Sequence, residues 1–150
     1  MTKMAPFHEF ARIMMRHRMG RAALAAAAAS QNQAQQQRQL SVCQAQAEKL
    51  ESEQALWGRA LGWHLRAGIG AQQTRGSATE TLRWIERART LCAELGLSIH
   101  VASLDERAGA LLGGSAGAAR QQAAYAALKT RGVHAPMRLL RMMLPHPALL

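Results

Sequence analysis

The sequence has few of the large side chains that fill a compact protein core. Aromatic residues make up only 4% of the 150 residues: two Phe, one Tyr and three Trp. The hydrophobic content of 49% depends heavily on Ala, whose burial removes little apolar surface from water. A globular core normally contains more Leu, Ile, Val and Phe. The composition therefore favours an elongated helical chain over a globule.

Cysteine and long apolar runs are also scarce. Cys43 and Cys92 are the only thiols and lie far apart in the sequence, which excludes a disulfide framework and indicates a reducing compartment. No uninterrupted apolar run approaches the ~18 residues that a membrane-spanning helix needs. Arginines interrupt the first twenty positions, so no secretory signal is predicted. An Arg-rich start can imitate a mitochondrial transit peptide, but no separate mature domain follows it. A cytoplasmic location is expected.

Acidic residues are outnumbered, with 9 Asp and Glu against 19 Lys and Arg, for a net charge of +10. The excess is concentrated at the two ends of the chain: residues 1–21 and residues 129–150 each carry +4. A chain with two basic ends implies an acidic partner, which can be nucleic acid, an anionic membrane or an acidic protein surface.

Motifs that carry catalytic or metal chemistry are missing. The sequence has no G-x-S-x-G, no phosphate-binding glycine loop and no H-E-x-x-H. Four residues could suggest zinc but lack the spacing of a zinc site: Cys43, His64, Cys92 and His100. The remaining histidines lie among arginines near the ends and are predicted to be solvated: His8, His17, His134 and His146. We therefore expect a protein that is not an enzyme and that has no metal and no cofactor.

A run of alanine and glutamine is the most prominent feature that is present. Residues 22–40 read AALAAAAASQNQAQQQRQL and contain no Pro and no Gly, which favours a helix over a disordered spacer. Steps of four and three residues through this run reach apolar residues at eleven of fourteen positions. This heptad seam consists of Met15, Met19, Ala22, Ala26, Ala29, Gln33, Gln36, Leu40, Cys43, Ala47, Leu50, Gln54, Trp57 and Leu61. The pattern predicts one helix over residues 7–66.

A second helical arm is predicted over residues 78–131. Residues 67–77 contain three Gly and read as a loop, and Ser77 with Glu80 matches a capping box at a helix start. Apolar residues then repeat at four and three spacing. They include Ile85, Ala88, Cys92, Leu95, Ile99 and Ala102, followed by Leu104, Ala108, Leu111, Ala118 and Tyr125. Residues 132–150, which contain three Pro, form a C-terminal tail.

The two arms predict an all-α fold, an elongated antiparallel coiled-coil hairpin with the two basic ends together. A break in the second arm is predicted near 96–103, because Gly96 resembles a helix C-cap. It can be a kink, a short extended segment or a stutter in the coil. Ser103 and Glu106 match a second capping box beyond it. The hairpin also gathers three tryptophans near the loop, where they can anchor a partner: Trp57, Trp63 and Trp84.

The N-terminal pattern MMRHRMGRAALAAAAASQNQAQQQRQLSVCQAQAEKLE resembles the YscO-like (SctO) stalk proteins of bacterial type III secretion and their flagellar relative FliJ. AARQQAAYAALKTRG at residues 118–132 is similar to the returning arm of those proteins. The resemblance implies a stalk that inserts its basic end into a hexameric secretion ATPase. It also implies contacts with the export gate protein or with secretion chaperones, at the inner-membrane secretion apparatus.

No motif of that family assigns individual residues, so the partner-binding residues are nominated from charge and aromatic character. The basic end would bind through Arg12, Arg16, Arg18, Arg21, Arg131 and Arg138. The tip would bind through Trp57, Trp63 and Trp84, although Trp57 also fits simple packing in the seam. Two alternatives stay open: a basic helical protein that binds nucleic acid, and a general coiled-coil adaptor or chaperone.

Overall fold

The computed structural model describes residues 5–73 and 77–146, and over these residues the chain forms helices and no strand. The helices are α1 (Ala5–Ala29), α2 (Gln33–Glu51), α3 (Leu56–Gln72), α4 (Ala78–Glu94), α5 (Ser98–Leu112), α6 (Gly114–Thr130) and α7 (Pro136–Met143). The predicted all-helical class is confirmed.

The two-helix hairpin is not confirmed. Residues 7–66, predicted as one arm, contain α1, α2 and the first part of α3, and the second arm contains α4, α5 and α6. Each helix from α1 to α6 packs against the next helix in the chain. In addition, α3 contacts both α1 and α5, and α7 packs on α5 and α6. The chain therefore forms a layered helical bundle in which neighbours in sequence are neighbours in space, as in stacked helical repeats.

The alanine and glutamine run is helical on both sides of a short interruption at residues 30–32. The Asn32 side chain caps α2, because its Oδ1 accepts hydrogen bonds from the backbone N–H of Ala34 at 2.8 Å and of Gln35 at 3.3 Å. A polar residue that can cap a helix offers the backbone a competing hydrogen bond, and here it ends one helix and starts the next. α1 and α2 then fold back on each other.

The predicted loop at 67–77 is shorter than expected, because α3 continues to Gln72. Residues 74–76 lie outside the described part of the chain. Gly68, which suggested a loop in the sequence, is helical and allows a close approach: a Cβ there would lie 2.6 Å from Leu24 Cδ1. A glycine that makes room for a neighbouring helix cannot be distinguished from a helix-breaking glycine by composition alone.

The predicted break in the second arm is present at Gly96. This residue has a φ of 71°, and the backbone N–H of Leu97 donates to the carbonyl of Cys92 at 2.8 Å, as in a glycine-terminated helix end. No extended segment follows, because α5 begins at Ser98. The second capping box is wrong: Ser103 lies inside α5, where its hydroxyl donates to the carbonyl of His100 at 2.8 Å.

Most of the core is formed by side chains of the five helices α1 to α5. Its largest fully buried apolar side chains include Ile13, Leu24, Leu50, Leu65, Ile85, Leu104 and Leu144. A smaller cluster joins α5, α6 and α7 through Ala102, Ala124, Leu128 and Leu140. Because Leu144 lies beyond α7 but belongs to the main core, it joins the end of the described residues to α3.

Candidate functional site

One face of α1 is apolar and exposed. Phe7 is 71% exposed, Met15 is 62% exposed and Met19 is 48% exposed. At 3.6 residues per turn these residues and four exposed alanines of the helix fall within an arc of about 120°, which the exposed His8 shares. We call this set the outer face of α1; it consists of Phe7, Ala11, Met15, Met19, Ala22, Ala26 and Ala29.

The opposite side of α1 faces the bundle. Its buried residues include Ile13, His17, Gly20, Leu24 and Ala27. The predicted heptad seam runs along the outer face, so in α1 the seam is exposed to solvent and has no partner among the described helices. In α2 the same seam is buried in the core at Leu40, Cys43, Ala47 and Leu50. α1 therefore has two apolar sides, of which one is buried in the bundle and the other is exposed to solvent.

The basic residues predicted on α1 have different surroundings. Arg12 holds the Glu53 carboxylate through two hydrogen bonds, Nε to Oε1 at 2.9 Å and Nη2 to Oε2 at 2.7 Å, and Arg16 also donates to Glu53. These hydrogen bonds lower the pKa of the Glu53 carboxyl. Two positive charges on α1 are thus opposed by one negative charge at the α2–α3 connection. Arg18 is exposed within the arc of the outer face.

The predicted basic residues at the other end are exposed on α7 and after α6. Arg138 lines an open depression of about 600 Å³ together with Lys129, His134, Met137 and Arg141. Arg131 lies at a separate cleft of about 590 Å³ between α4, α5 and α6. The structure connects the two basic ends at one point: Arg21 Nη2 donates to the carbonyl of Met142 at 2.7 Å.

The predicted tryptophan tip is only partly assembled. Trp63 and Trp84 share a cation, because the Arg87 guanidinium lies 4.3 Å from the Trp63 ring centroid and 5.5 Å from that of Trp84. Trp57 packs instead on Phe10 of α1, with ring centroids 5.5 Å apart. All three rings are half-buried. The tip surface therefore contains Trp63 and Trp84, while Trp57 joins α3 to α1.

Three histidines from three helices meet inside the bundle. The ring centroids of His17, His64 and His100 lie between 5.0 and 5.3 Å apart. His17 is only 2% exposed, so its predicted place on the solvated surface is wrong. Its spacing of four residues from Ile13 was the signal that could have placed it on the buried side of α1.

The hydrogen bonds of this cluster fit neutral rings. Since the Ser103 hydroxyl donates to the carbonyl of His100, it accepts from His64 Nε2, which lies 2.9 Å away. In a neutral His64 ring Nδ1 is then an acceptor, and it lies 3.4 Å from His17 Nε2. Burial lowers the pKa of His17 to about 3 and that of His100 to about 4, helped by the positive charge of Arg21, and it also lowers the pKa of His64.

Residues 142–146, which we call the tail segment, lie across α1, α3 and α5. Three polar side chains, one from each helix, donate hydrogen bonds to three of its main-chain carbonyls. Arg21 binds the carbonyl of Met142, Arg107 Nη2 donates to the carbonyl of Leu144 at 2.9 Å, and Gln72 Nε2 donates to that of Pro145 at 2.7 Å. Gln72 also donates to the carbonyl of Leu24 at 2.9 Å.

Ion pairs join α4, α5 and α6 beside the 590 Å³ cleft. Asp105 Oδ1 accepts from Arg89 Nε at 2.6 Å and from Arg120 Nη2 at 2.8 Å, and Arg120 also pairs with Glu86 at 2.6 Å. These arginines and carboxylates bind one another and fix the three helices together. Their geometry is that of a structural network.

In residues 5–73 and 77–146, no group of three or more His, Cys, Asp and Glu side chains is arranged to hold a metal ion. Within the same residues no helix is both long enough and apolar enough to cross a bilayer. No protein-family model, no curated protein and no solved structure matches the chain.

Proposed function

We propose that the protein is a non-enzymatic adaptor or chaperone that binds an acidic amphipathic helix of a partner protein along the outer face of α1. The observation that carries this proposal is the exposure of Met15 and Met19, which keep heptad spacing with Ala22, Ala26 and Ala29, and of Phe7 within the same arc. Apolar side chains at this spacing form the seam of a coiled coil, and a second helix is the partner that such a seam fits.

The charges beside the outer face favour an acidic partner over a second copy of the chain. Arg18 lies within the arc, beside the seam, while Glu9 is the only acid in the sequence of residues 5–29. Arg12, near the edge of the arc, is already paired with Glu53. Two copies of α1 would add positive charge to positive charge beside the seam, which costs free energy at the e and g positions of a coiled coil. A partner helix with Glu beside its own seam would pair with Arg18.

The small residues of the outer face set its geometry. Alanines at positions 22, 26 and 29 let two helix backbones approach closely, while Met15 and Met19 at the other half supply long, adaptable apolar contacts. The partner helix is therefore expected to carry larger apolar residues opposite the alanines.

A narrower form of this proposal takes the partner to be the hexameric secretion ATPase, in line with the resemblance to the type III secretion stalk proteins. The support is the same: a basic, apolar α1 that fits an acidic surface. Docking would then occur through one face of α1 and not through the end of a two-helix rod, because the described residues do not form such a rod. The export gate and secretion chaperones remain further candidate partners, and nucleic acid remains the alternative.

The direct test is binding of a designed probe by fluorescence anisotropy at ~150 mM salt, where exposed charges are already screened. The probe is a four-heptad helix with Leu at a and d and Glu at e and g. We expect it to bind the wild-type protein, and we expect Met15→Glu/Met19→Glu to weaken binding at least tenfold. Val42→Glu is the matched control, because Val42 is an exposed apolar residue on α2.

Equal binding by both variants would refute docking through α1. Random duplex DNA and a hexameric secretion ATPase are assayed in parallel with the same variants. Retention of DNA that is unaffected by Met15→Glu/Met19→Glu, without binding of the acidic helix, would favour the nucleic-acid alternative. A stimulated ATPase that loses its stimulation in the double variant would support the narrower proposal.

A further inference from the structure

The contacts of the tail segment have the character of peptide recognition. The three donors come from α1, α3 and α5, and all three bind main-chain carbonyls, which every peptide offers. Its most enclosed side chain is Leu144, which is 1% exposed and packs where Gly68 leaves room for it, and Met143 and Pro145 are also buried. Backbone hydrogen bonds together with pockets for side chains are the elements by which proteins bind extended peptides.

The tail segment leaves two buried polar atoms of the helices around it without a hydrogen-bond partner. Arg107 is 3% exposed, and its Nε has no hydrogen-bond partner among the described residues. The Oε1 of Gln72, which is also buried, is unpaired in the same way. An unpaired buried donor on a charged group is costly, so a better ligand for this site is one that supplies an acceptor to Arg107.

Two other arginines in this chain show which ligand fits the Nε and Nη2 edge of a guanidinium. Arg12 binds Glu53 through these two atoms, and Arg66 binds Glu51 through the same two. At Arg107 the Nη2 atom binds the carbonyl of Leu144 while Nε stays unpaired, and the nearest carboxylate oxygen, on Glu106, lies 3.5 Å from Nη2. A carboxylate in the place of that carbonyl would satisfy both atoms.

We propose that the groove between α1, α3 and α5 is a binding site for an extended peptide of a partner protein that has a leucine and, next to it, an acidic side chain, and that the tail segment occupies this site in the free protein. The leucine takes the place of Leu144 beside Gly68. The acidic side chain pairs with Arg107, and Gln72 and Arg21 bind the peptide backbone.

This site is separate from the outer face of α1. Arg21 and Leu24 meet the tail segment from one edge of the helix, whereas Met15, Met19 and Ala22 lie on the side that is turned to solvent. The proposal therefore does not depend on the docking of an acidic helix, and either can fail without the other.

The test uses the full chain and two fluorescent peptides. The first, MMLPHP, copies residues 142–147, and in the second, MMLEHP, glutamate replaces the proline that follows leucine. Two variants of the tail segment itself free the groove and leave its hydrogen-bond donors intact: Leu144→Ala removes the most enclosed side chain, and Met143→Ala removes a second buried one. In both variants we expect MMLEHP to bind at least tenfold more tightly than it binds the wild-type protein. It should also bind more tightly than MMLPHP.

The Arg107→Gln change, added to either variant, is expected to abolish the preference for MMLEHP while leaving weak binding of both peptides. Circular dichroism of each variant verifies that the helices are formed. If Leu144→Ala does not fold, Met143→Ala decides the result. The proposal is overturned if neither freed variant binds the peptides more tightly than the wild-type protein. It is also overturned if the preference for the acidic peptide survives the Arg107→Gln change.

Discussion

Acid should destabilise this protein well above the pH at which carboxylates become protonated, because the histidine cluster is neutral in the folded state. The pKa of His17 is lowered to about 3 and that of His100 to about 4, from an ordinary value near 6.5. Below pH 6.5 the unfolded chain binds protons that the folded protein does not bind. Stability is therefore complete above pH 6.5 and falls as the pH is lowered towards the folded values.

The size of the effect follows from the proton-binding difference. Each buried histidine contributes about 1.4 kcal/mol per pH unit between its unfolded and folded pKa. At pH 5, His17 and His100 should each remove about 2 kcal/mol of unfolding free energy, and His64, whose pKa is also lowered, adds to the loss. A loss of at least ~4 kcal/mol is a large part of the 5–15 kcal/mol typical of a domain.

The assay is urea denaturation followed by circular dichroism at pH 7.5, 6 and 5. The informative variant is His100→Gln, which removes one titrating group at the more accessible member of the cluster. Whatever it does at pH 7.5, its additional loss on going to pH 5 should be about 2 kcal/mol smaller than that of the wild-type protein. The exposed His134→Gln is the control and should leave the pH dependence unchanged. A wild-type loss below 1 kcal/mol at pH 5 would refute buried neutral rings.

Four further predictions follow from single contacts. Glu53→Gln should lower the thermal denaturation midpoint, because Arg12 and Arg16 lose their shared carboxylate; the exposed Glu94→Gln should not, and equal melting of the two would contradict this role. Gly117→Ala should cost about 1–3 kcal/mol in urea denaturation, because its Cβ would lie 2.3 Å from the carbonyl oxygen of Gly109, whereas the exposed Ser115→Ala on the same helix should be nearly neutral. Cys43 and Cys92, whose pKa values burial raises to about 12, should react with a disulfide reagent at pH 7.5 only as fast as the protein unfolds, and rapid reaction of the native protein would be inconsistent with their burial. Amide hydrogen exchange should be faster over residues 22–36, which include the interruption at residues 30–32, than over residues 40–50, which lie inside α2, and uniform slow exchange would argue against a weak point there.

The sequence predicted the helical class and part of the core. In α2 the positions of Leu40, Cys43, Ala47 and Leu50 were identified as one buried face, and all four are buried, because polar Gln, Ser and Glu residues mark the remaining faces. In α1 the same step of four and three led to the wrong side. Residues 22–29 are almost all alanine, so apolar spacing is satisfied in every direction and gives no information about which side is buried.

The breaks between helices were harder to predict, because glycine has two opposite uses here. Gly96 ends a helix with a positive φ, as its sequence context predicted, whereas Gly68 lies within a helix and makes space for Leu24 and Leu144. A sequence without tertiary contacts does not separate these uses. The groove that holds the tail segment could not be predicted for a related reason. Its donors, Arg21, Gln72 and Arg107, are distant in sequence and share no motif, and only the packing of α1, α3 and α5 brings them to one segment.

The most direct test of the central claim, that α1 presents an unpaired apolar face for a partner helix, is thiol labelling at single introduced cysteines. Met15→Cys and Val42→Cys are labelled in the native protein, with the buried Cys43 and Cys92 as slow internal references. Both introduced thiols should react quickly in the free protein, and the acidic helix should protect position 15 while leaving position 42 unchanged. Slow labelling of position 15 in the free protein, or equal rates at position 15 with and without the helix, would contradict the account.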